Sequence, residues 1–372
     1  MMQFTNGQQQ RIAYDSYIQL QTNGRPTTFP YSAYNVQLGI VNNVLYVSGG
    51  NTGNASTVSM HYGLDLATNM WTSKATIPIS VFSGATCTFN NKIYVFGGCN
   101  YGANAGNTQI YDPVTNTWSS GANMSISRFG AWAQVINGLI YVLGGIVNYS
   151  SPSYVNVLEC YDPVLNTWST KATPPTMTYG WKTAWVYQNK LYAVTNGVLS
   201  VYDPATNAWS TRSSGLGGPW AFMLDDVVYL FGETSISNGA VSFYYPDLDT
   251  TAPPKNFTAR NNYKTTRYNQ AVTMIQNPLN PNEIFSLGGC TNGNSPTNAL
   301  DIFIRKVLYD QINDSAVCLR VRSDSNPITV RNVDGRPSID IGPGQQDGPF
   351  TKPKVYVENW ASSNIQISVS TN

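Results

Sequence analysis

One unit recurs along this 372-residue chain, and such a repeat limits the possible folds more than any other feature. Its clearest part is a short aromatic and β-branched run that ends in paired glycines. The copies are LYVSGG (45–50), IYVFGG (93–98), IYVLGG (140–145) and IFSLGG (284–289), with weaker copies LYAVTN (191–196) and VYLFGE (228–233). The best copies recur at a spacing of roughly 47 to 48 residues, which indicates one supersecondary unit per copy.

Two further parts of the unit predict hairpins. The first is the run YDPVTNTW (111–118), which returns as YDPVLNTW (161–168), YDPATNAW (202–209) and, in degenerate form, LDLATNMW (64–71). Asp-Pro starts a turn, Asn tolerates a left-handed backbone near its end, and Trp returns on the next strand to pack against the neighbouring unit. The second is a pair such as NN, NG or QN before each aromatic strand, which predicts a tight turn. Each unit therefore contains four strands.

A glycine pair followed by Tyr and Trp at these offsets resembles the kelch family. The resemblance covers about residues 31–304 and is strongest in the second to fourth copies, because the fifth lacks the second glycine and the Trp. It implies an all-β fold, a six-bladed kelch-type β-propeller with four-stranded blades around a central channel. The predicted blades span about 31–75, 76–122, 123–172, 173–212, 213–250 and 263–311.

The two ends of the chain lie outside the repeats. Residues 1–30 contain a strand-like run, 8–22, which we expect to close the last blade beside residues 299–308. Residues 250–262 are the predicted linker between the fifth and sixth blades. Residues 312–372 alternate apolar and polar side chains between turns, which predicts a small C-terminal β-sandwich or a strand-donating tail. Such a module is suited to attachment to a larger assembly.

The composition disfavours several classes of partner. Charged residues are 11% of the chain and the net charge is +1, so nucleic acid is not expected as a partner. The N-terminal residues have neither a basic nor an apolar region, and no run of about 18 apolar residues occurs, so neither a secretory signal nor membrane insertion is predicted. The five cysteines are widely spaced, which indicates neither a disulfide framework nor a metal site.

Kelch propellers include copper radical oxidases similar to galactose oxidase, whose copper is held by two histidines and two tyrosines. This chain contains one histidine, His61, so the resemblance does not extend to that site. His61 lies in VSMHYGLDL, and we interpret it as a half-buried structural residue on a strand. We predict no catalytic residue, no cofactor and no metal.

Alignment of the units to each other gives a candidate ligand-binding site at the mouth of the channel. Ser80, Arg128, Tyr179 and Arg267 fall at or near one position, with Ser32 or Ala33 in the first unit. Arg128 and Arg267 are three blades apart and are expected to face each other. Trp132, Trp181, Trp220 and Tyr268 lie nearby, and aromatic faces beside polar groups suit carbohydrate or peptide. The alternatives are a solvated rim for the arginines and packing between blades for the three tryptophans.

These observations favour a non-enzymatic binding or structural protein, with a propeller face for a protein or glycan and a β tail that attaches to a virion or phage tail. A weakly charged, Asn/Thr/Ser-rich composition supports this hypothesis. The expected partners are proteins of a larger assembly, a cell-surface glycan, or further copies of the chain. The expected location is the virion or the extracellular space, and the alternative is the cytoplasm. The alternative function is a carbohydrate-active enzyme of the sugar epimerase or mutarotase type that uses the channel mouth.

Overall fold

A computed structural model describes most of the repeat region and the strands of the C-terminal part. The described residues are 17–20, 26–53, 56–101, 103–148, 151–175, 183–195, 198–214, 220–224, 227–231, 241–245, 250–251, 272–278, 280, 283–289, 295–306, 317–323, 328–332, 339–341, 346–350, 355–359 and 365–371. All regular elements among them are β-strands. The chain divides into two compact units, Gln19–Ile304 and a second unit of Met1–Ile18 with Arg305–Asn372.

The described strands of the repeat region form six antiparallel four-stranded sheets, numbered here in chain order. The first strand, β1 (Tyr17–Leu20), belongs to the sixth sheet. Sheet 1 consists of β2 (Gln37–Val41), β3 (Val44–Ser48), β4 (His61–Asp65) and β5 (Met70–Ser73). Sheet 2 consists of β6 (Ala85–Phe89), β7 (Lys92–Asn100), β8 (Ala103–Asp112) and β9 (Thr117–Gly121). Sheet 3 consists of β10 (Trp132–Ile136), β11 (Leu139–Leu143), β14 (Leu158–Asp162) and β15 (Thr167–Thr170), with a small hairpin of β12 (Ile146–Val147) and β13 (Ser153–Tyr154) between its second and third strands.

Sheets 4 to 6 have the same strand order. Sheet 4 consists of β16 (Thr183–Tyr187), β17 (Lys190–Thr195), β18 (Val198–Asp203) and β19 (Ala208–Ser214). Sheet 5 consists of β20 (Trp220–Leu224), β21 (Val227–Phe231), β22 (Val241–Tyr245) and β23 (Thr250–Thr251). Sheet 6 consists of β24 (Val272–Gln276), β25 (Glu283–Gly288), β26 (Leu300–Lys306) and, hydrogen-bonded to β26 as the outermost strand, β1. The degenerate fifth copy therefore still supplies four strands, and the N-terminal strand lies beside β26.

The second unit contains two three-stranded antiparallel sheets. Their strands are β27 (Val317–Ser323), β28 (Ile328–Asn332), β29 (Ile339–Ile341), β30 (Gln346–Phe350), β31 (Val355–Asn359) and β32 (Ile365–Thr371). In one sheet β27 lies between β30 and β32, and in the other β28 lies between β29 and β31. The alternating runs of this region predict its strands except β30, whereas a sandwich or strand donation stays a prediction.

The first strands of successive sheets lie side by side. β2 lies beside β6, β6 beside β10, β10 beside β16 and β16 beside β20. β24 lies beside β2, so the last sheet of the repeat region also contacts the first. A hydrogen bond from Thr273 Oγ1 to the Val36 carbonyl, 2.9 Å long, joins the same two sheets. The described elements are all β-strands, and they form repeated four-stranded sheets. This is the kelch-type architecture that the sequence predicts.

The tight turns between first and second strands have the left-handed backbone that their residues favour. Asn42 and Asn43 have φ angles of 48° and 62°, and Asn137 and Gly138 have 50° and 81°. Positive φ at both central residues is the type I′ geometry, which matches the twist of the flanking strands. The prediction from the NN and NG pairs is therefore confirmed.

The glycine pair is required because two parts of the chain approach its backbone. A Cβ atom at the first glycine of sheet 2, Gly97, would lie 2.2 Å from the carbonyl oxygen of Arg128, which leads into sheet 3. A Cβ atom at the second glycine, Gly98, would lie 2.7 Å from Cβ of Val81, which leads into sheet 2 itself. Both glycines also have positive φ angles. The first glycine thus admits the backbone of the next sheet, and the second admits a side chain of its own sheet.

A clamp of Tyr, Asn and Trp joins the outer hairpins of sheets 2, 3 and 4 to the preceding sheet. Asn116 Oδ1 accepts hydrogen bonds from the Tyr111 hydroxyl at 2.7 Å and from the Ala75 amide at 2.9 Å. The Trp118 indole donates to the Ala75 carbonyl at 2.8 Å. The clamp therefore binds both backbone groups of one residue. The same arrangement joins sheets 2 and 3 through Ala122, Tyr161, Asn166 and Trp168, and sheets 3 and 4 through Ala172, Tyr202, Asn207 and Trp209.

The clamp of sheet 1 is incomplete because Leu64 occupies the position of the tyrosine. Trp71 still donates its indole N–H to the Thr28 carbonyl at 3.1 Å. Asn69 Oδ1, however, has no hydrogen-bond partner among the described residues. The sequence therefore correctly predicts that four tryptophans are packing anchors: Trp71, Trp118, Trp168 and Trp209. In the complete clamps the asparagine, which accepts from the tyrosine, binds the backbone amide, and the tryptophan binds only the carbonyl.

The incomplete clamp provides a matched control for the complete one. Asn69 and Asn116 have similar φ angles, 61° and 53°, so Asn→Ala adds similar backbone strain at both positions. Asn116→Ala also removes the acceptor of two hydrogen bonds, so we expect its free energy of unfolding to fall by about 2 kcal/mol more than that of Asn69→Ala. Urea denaturation of both variants measures the difference, and equal losses would show that the clamp contributes no stability.

Candidate functional site

The segments that lead from one sheet into the next lie at one end of the sheets. We call them lead-in segments: residues 26–36 before β2, 74–84 before β6 and 122–131 before β10. Because successive strands are antiparallel, the connections between second and third strands lie at the same end. We call this end the lead-in face, and the opposite end, which carries the tight turns, the turn face. The predicted mouth residues Ser80 and Arg128 lie in lead-in segments, and Trp132 is the first residue of β10.

A chain of backbone hydrogen bonds runs from sheet to sheet along the inner edge of this face. Asn35, Ser83 and Gly130 occupy equivalent positions and have φ angles of 52°, 53° and 63°. The Ser83 amide donates to the Asn35 carbonyl at 3.0 Å, and the Gly130 amide donates to the Ser83 carbonyl at 2.8 Å. The inner edge of the lead-in face is therefore fixed by backbone contacts, and small or polar residues occupy it.

Equivalent contacts show that Val81, and not Ser80, occupies the position of Arg128. The Gly50 amide donates to the Val81 carbonyl, and the Gly98 amide donates to the Arg128 carbonyl, both at 3.0 Å. Ala33 takes this position in the first sheet, since its carbonyl lies over Gly288. Ser80 is therefore next to the equivalent position, and sequence spacing alone does not distinguish it from Val81.

The structure places Arg128 inside the protein and not on the open mouth. Its side chain has no exposed surface, and it forms an ion pair with Glu159, which is 1% exposed. Arg128 Nη1 also donates to the Ile126 carbonyl at 3.0 Å, and Nη2 donates to the Val142 carbonyl at 3.4 Å. Burial lowers the pKa of Arg128, an effect that the adjacent Glu159 carboxylate opposes. The expectation of an exposed arginine at the mouth is therefore wrong for Arg128.

The Arg128 side chain can reach the interior because the second glycine of sheet 3, Gly145, has no side chain. A Cβ atom at Gly145 would lie 3.1 Å from Cδ of Arg128, so the aliphatic part of the arginine crosses this glycine. The other oxygen of Glu159 accepts hydrogen bonds from the amide and the hydroxyl of Ser125, at 3.0 and 2.5 Å. Both carboxylate oxygens are thus occupied. The pair fastens the lead-in segment to sheet 3 and presents no acid to the mouth.

In sheet 2 the lead-in segment is fastened to the sheet by uncharged groups. Gln109 corresponds to Glu159, and it binds both backbone groups of Ile79, accepting from the amide at 2.8 Å and donating to the carbonyl at 3.0 Å. Val81 takes the place of Arg128 in that sheet. The buried pair in sheet 3 is therefore one of two ways in which this fold fastens a lead-in segment.

The other predicted site residues have different outcomes. Ser80 is half-buried. Trp132 is also half-buried and packs against the core between sheets 3 and 4, which supports the packing alternative for this tryptophan. Trp220 is the first residue of β20, and its side chain is not described. Tyr179, Trp181, Arg267 and Tyr268 lie outside the described residues, so the opposed arginine pair and the remaining aromatic residues stay predictions.

Exposed apolar side chains on the lead-in face were not predicted. Met60 is 42% exposed, Ile79 is 44% exposed and Tyr154 is 39% exposed. Met60 and Tyr154 lie in connections between second and third strands, and Ile79 lies in a lead-in segment. These connections vary in length, from two residues in sheet 4 to a separate hairpin in sheet 3. Because the repeat pattern covers only strands and turns, it contains no signal for these residues.

The described residues contain neither a metal-binding cluster nor a membrane-spanning helix. They contain no group of three or more His, Cys, Asp or Glu side chains able to hold a metal ion. No helix long and apolar enough to cross a membrane occurs among them.

The sheets, the glycine pairs and the clamps together define a kelch-type propeller fold. The sequence matches the family described as the KLHDC2/KLHL20/DRC7 Kelch-repeats domain over residues 37–232, which is more than half of the chain. The chain therefore belongs to this kelch-repeat family. A search of curated proteins found no match.

Solved structures with the same fold are numerous, since 522 chains match. The structure of YjhT matches with a TM-score of 0.58 and 16% sequence identity, and the match covers 76% of this chain and 99% of YjhT. At this identity the likeness shows the fold alone.

The buried pair yields a prediction that uses sheet 2 as its template. Glu159→Gln leaves the Arg128 guanidinium buried without a counter-ion, so we expect the free energy of unfolding to fall by about 3 to 5 kcal/mol. The double variant Arg128→Val with Glu159→Gln reproduces the residues of sheet 2, Val81 and Gln109. We expect it to recover most of this loss, as measured by urea denaturation at pH 7.5. If the double variant were no more stable than Glu159→Gln, the loss would not come from an unpaired charge.

Proposed function

We propose that the chain is a non-enzymatic binding propeller whose lead-in face binds a segment of a partner protein. In this proposal the six sheets close into one ring of six blades, with β1 as the outermost strand of the last. The second unit is a β module that attaches the ring to a larger assembly, such as a virion or phage tail. Membership of a kelch-repeat family supports the binding role.

The observation that carries the proposal is the contrast between the two ends of the sheets. On the turn face the described connections repeat nearly the same short turns from sheet to sheet. On the lead-in face the connections differ in length and sequence, although their inner edge is fixed by backbone contacts. Variable loops on a rigid scaffold are a common arrangement for recognition.

Side chains on the lead-in face suit a protein segment better than a highly charged ligand. Met60, Ile79 and Tyr154 expose apolar surface, and Arg128 is buried in its pair with Glu159. Apolar contacts with a few polar groups around them are typical of protein interfaces. A glycan would be expected to stack on aromatic rings, and Tyr154 is the one exposed ring among the large exposed hydrophobic residues described.

Selection from a library of random peptides tests this proposal. The highest-affinity peptide would be measured against the native chain, against Met60→Ser with Ile79→Ser on the lead-in face, and against Val114→Ser with Val164→Ser on the turn face. Val114 and Val164 are 83% and 85% exposed, against 42% and 44% for Met60 and Ile79, so the second pair alters at least as much exposed apolar surface at the opposite end. We expect the lead-in pair to weaken binding at least about tenfold, because central apolar contacts carry most of an interface's energy.

The turn-face pair should leave the dissociation constant unchanged. Equal weakening by both pairs, or weakening by the turn-face pair alone, would contradict the choice of face. Recovery of no binding peptide, together with binding on a glycan array that the lead-in pair abolishes, would identify a glycan as the ligand and contradict the protein-binding proposal.

A further inference from the structure

We call the contact between two successive sheets a seam. His61 lies at the seam between sheets 1 and 2. It is the first residue of β4, as the sequence predicts for a strand, but it is 1% exposed and therefore fully buried, not half-buried. Its Nδ1–H donates a hydrogen bond to the carbonyl oxygen of Ala75, at 3.0 Å. Ala75 is the residue that the clamp of sheet 2 binds, so its carbonyl accepts from both Trp118 and His61.

Sheet 2 has a threonine at the equivalent position. Thr108 donates its hydroxyl to the carbonyl of Ala122 at 2.8 Å, and Ala122 is the residue bound by the next clamp. Thr108 and His61 therefore make the same contact at successive seams. The difference is that the imidazole can gain a proton in mildly acidic solution and the hydroxyl cannot.

The surroundings of the imidazole are unsuited to a positive charge. The Nε2 atom is buried and has no hydrogen-bond partner among the described residues. The ring packs at 4.3 Å from the Tyr111 ring, with Tyr46 and Trp118 at 5.6 and 5.3 Å. Burial raises the pKa of both tyrosines, so they remain neutral, and Lys74 adds a repelling positive charge. Burial, opposed by the bond to Ala75, lowers the pKa of His61 to about 4.

We propose that His61 makes the seam between sheets 1 and 2 sensitive to acid, so that mildly acidic conditions favour opening of this seam over the neighbouring one. A proton on Nε2 has no acceptor while the seam is closed. When the seam opens, water reaches both nitrogens and the imidazolium is hydrated. Protonation therefore stabilises the open form relative to the closed form.

The direction and size of the effect follow from the two protonation equilibria. A histidine in water has a pKa of about 6.5, so the open form binds the proton below that pH, whereas the closed form resists protonation down to about pH 4. The seam is fully stable above pH 6.5 and loses stability as the pH falls towards 4. Between pH 7.5 and pH 5 the equilibrium constant for opening should rise about 30-fold. Unperturbed carboxyl groups remain largely ionised at pH 5, which separates their effect from that of His61.

Hydrogen–deuterium exchange of the intact chain tests the proposal with an internal control. The amides of Ala75 and Ala122 donate to equivalent asparagines, Asn116 and Asn166, at neighbouring seams. Exchange would be followed by mass spectrometry in the fragments that contain each amide, at pH 7.5 and pH 5, and corrected for intrinsic rates. We expect protection of Ala75 to fall about 30-fold relative to that of Ala122.

The variant His61→Thr supplies the residue that sheet 2 uses. We expect the ratio of protection at Ala75 and Ala122 to become independent of pH in this variant. An unchanged ratio in the native chain would overturn the proposal, and so would a pH-dependent ratio that persists in His61→Thr. The native comparison decides the matter even if the variant does not fold.

Discussion

Sheets 6 and 1, sheets 1 and 2, and sheets 2 and 3 are each joined through the backbone of a single lead-in residue, which fits against the glycine pair of the preceding sheet. The first glycine must lack a Cβ atom because a carbonyl oxygen occupies that space: Val81 over Gly49, Arg128 over Gly97 and Ala33 over Gly288. Since the contact uses main-chain atoms, the side chain of the lead-in residue is free to vary. Alanine, valine and arginine all occur there, which is how one repeat accommodates an apolar seam and a buried ion pair.

The outer part of the seams between sheets 1 and 2, 2 and 3, and 3 and 4 also depends on backbone contacts. The clamp binds the amide and the carbonyl of one alanine, so recognition again depends on the backbone of the neighbouring sheet. Individual seams then differ in their side chains. The seam that His61 enters contains a titratable group, the seam fastened by Glu159 contains a buried charge pair, and sheet 1 lacks the tyrosine of its clamp. At these described seams the backbone contact is therefore shared, and the side chains around it vary.

Local features of the fold could be predicted from the sequence. Residue types with strong local preferences predict the NN and NG turns and the four-stranded sheets. They also predict the left-handed Asn that lies two residues before each of the four anchor tryptophans. The site could not be predicted to the same degree. The repeat alignment did not distinguish Ser80 from Val81. Nothing in the spacing indicated that Gly145 leaves space for Arg128 to reach Glu159, 31 residues away in sequence. Burial of a long side chain depends on such tertiary neighbours and not on its own residue type.

In the proposed ring, the chain closes on itself at the seam between sheets 6 and 1, where the clamp of sheet 1 is incomplete. Phe29 donates its amide to the Asn298 carbonyl at 2.8 Å, in the same way as Ile77 donates to Ser59 and Met124 to Gly106. Hydrogen exchange of these three amides at pH 7.5 tests closure most directly. If the ring is closed, Phe29 should be protected to within about tenfold of Ile77 and Met124. Free exchange at Phe29 with protection at the other two amides would contradict a closed ring.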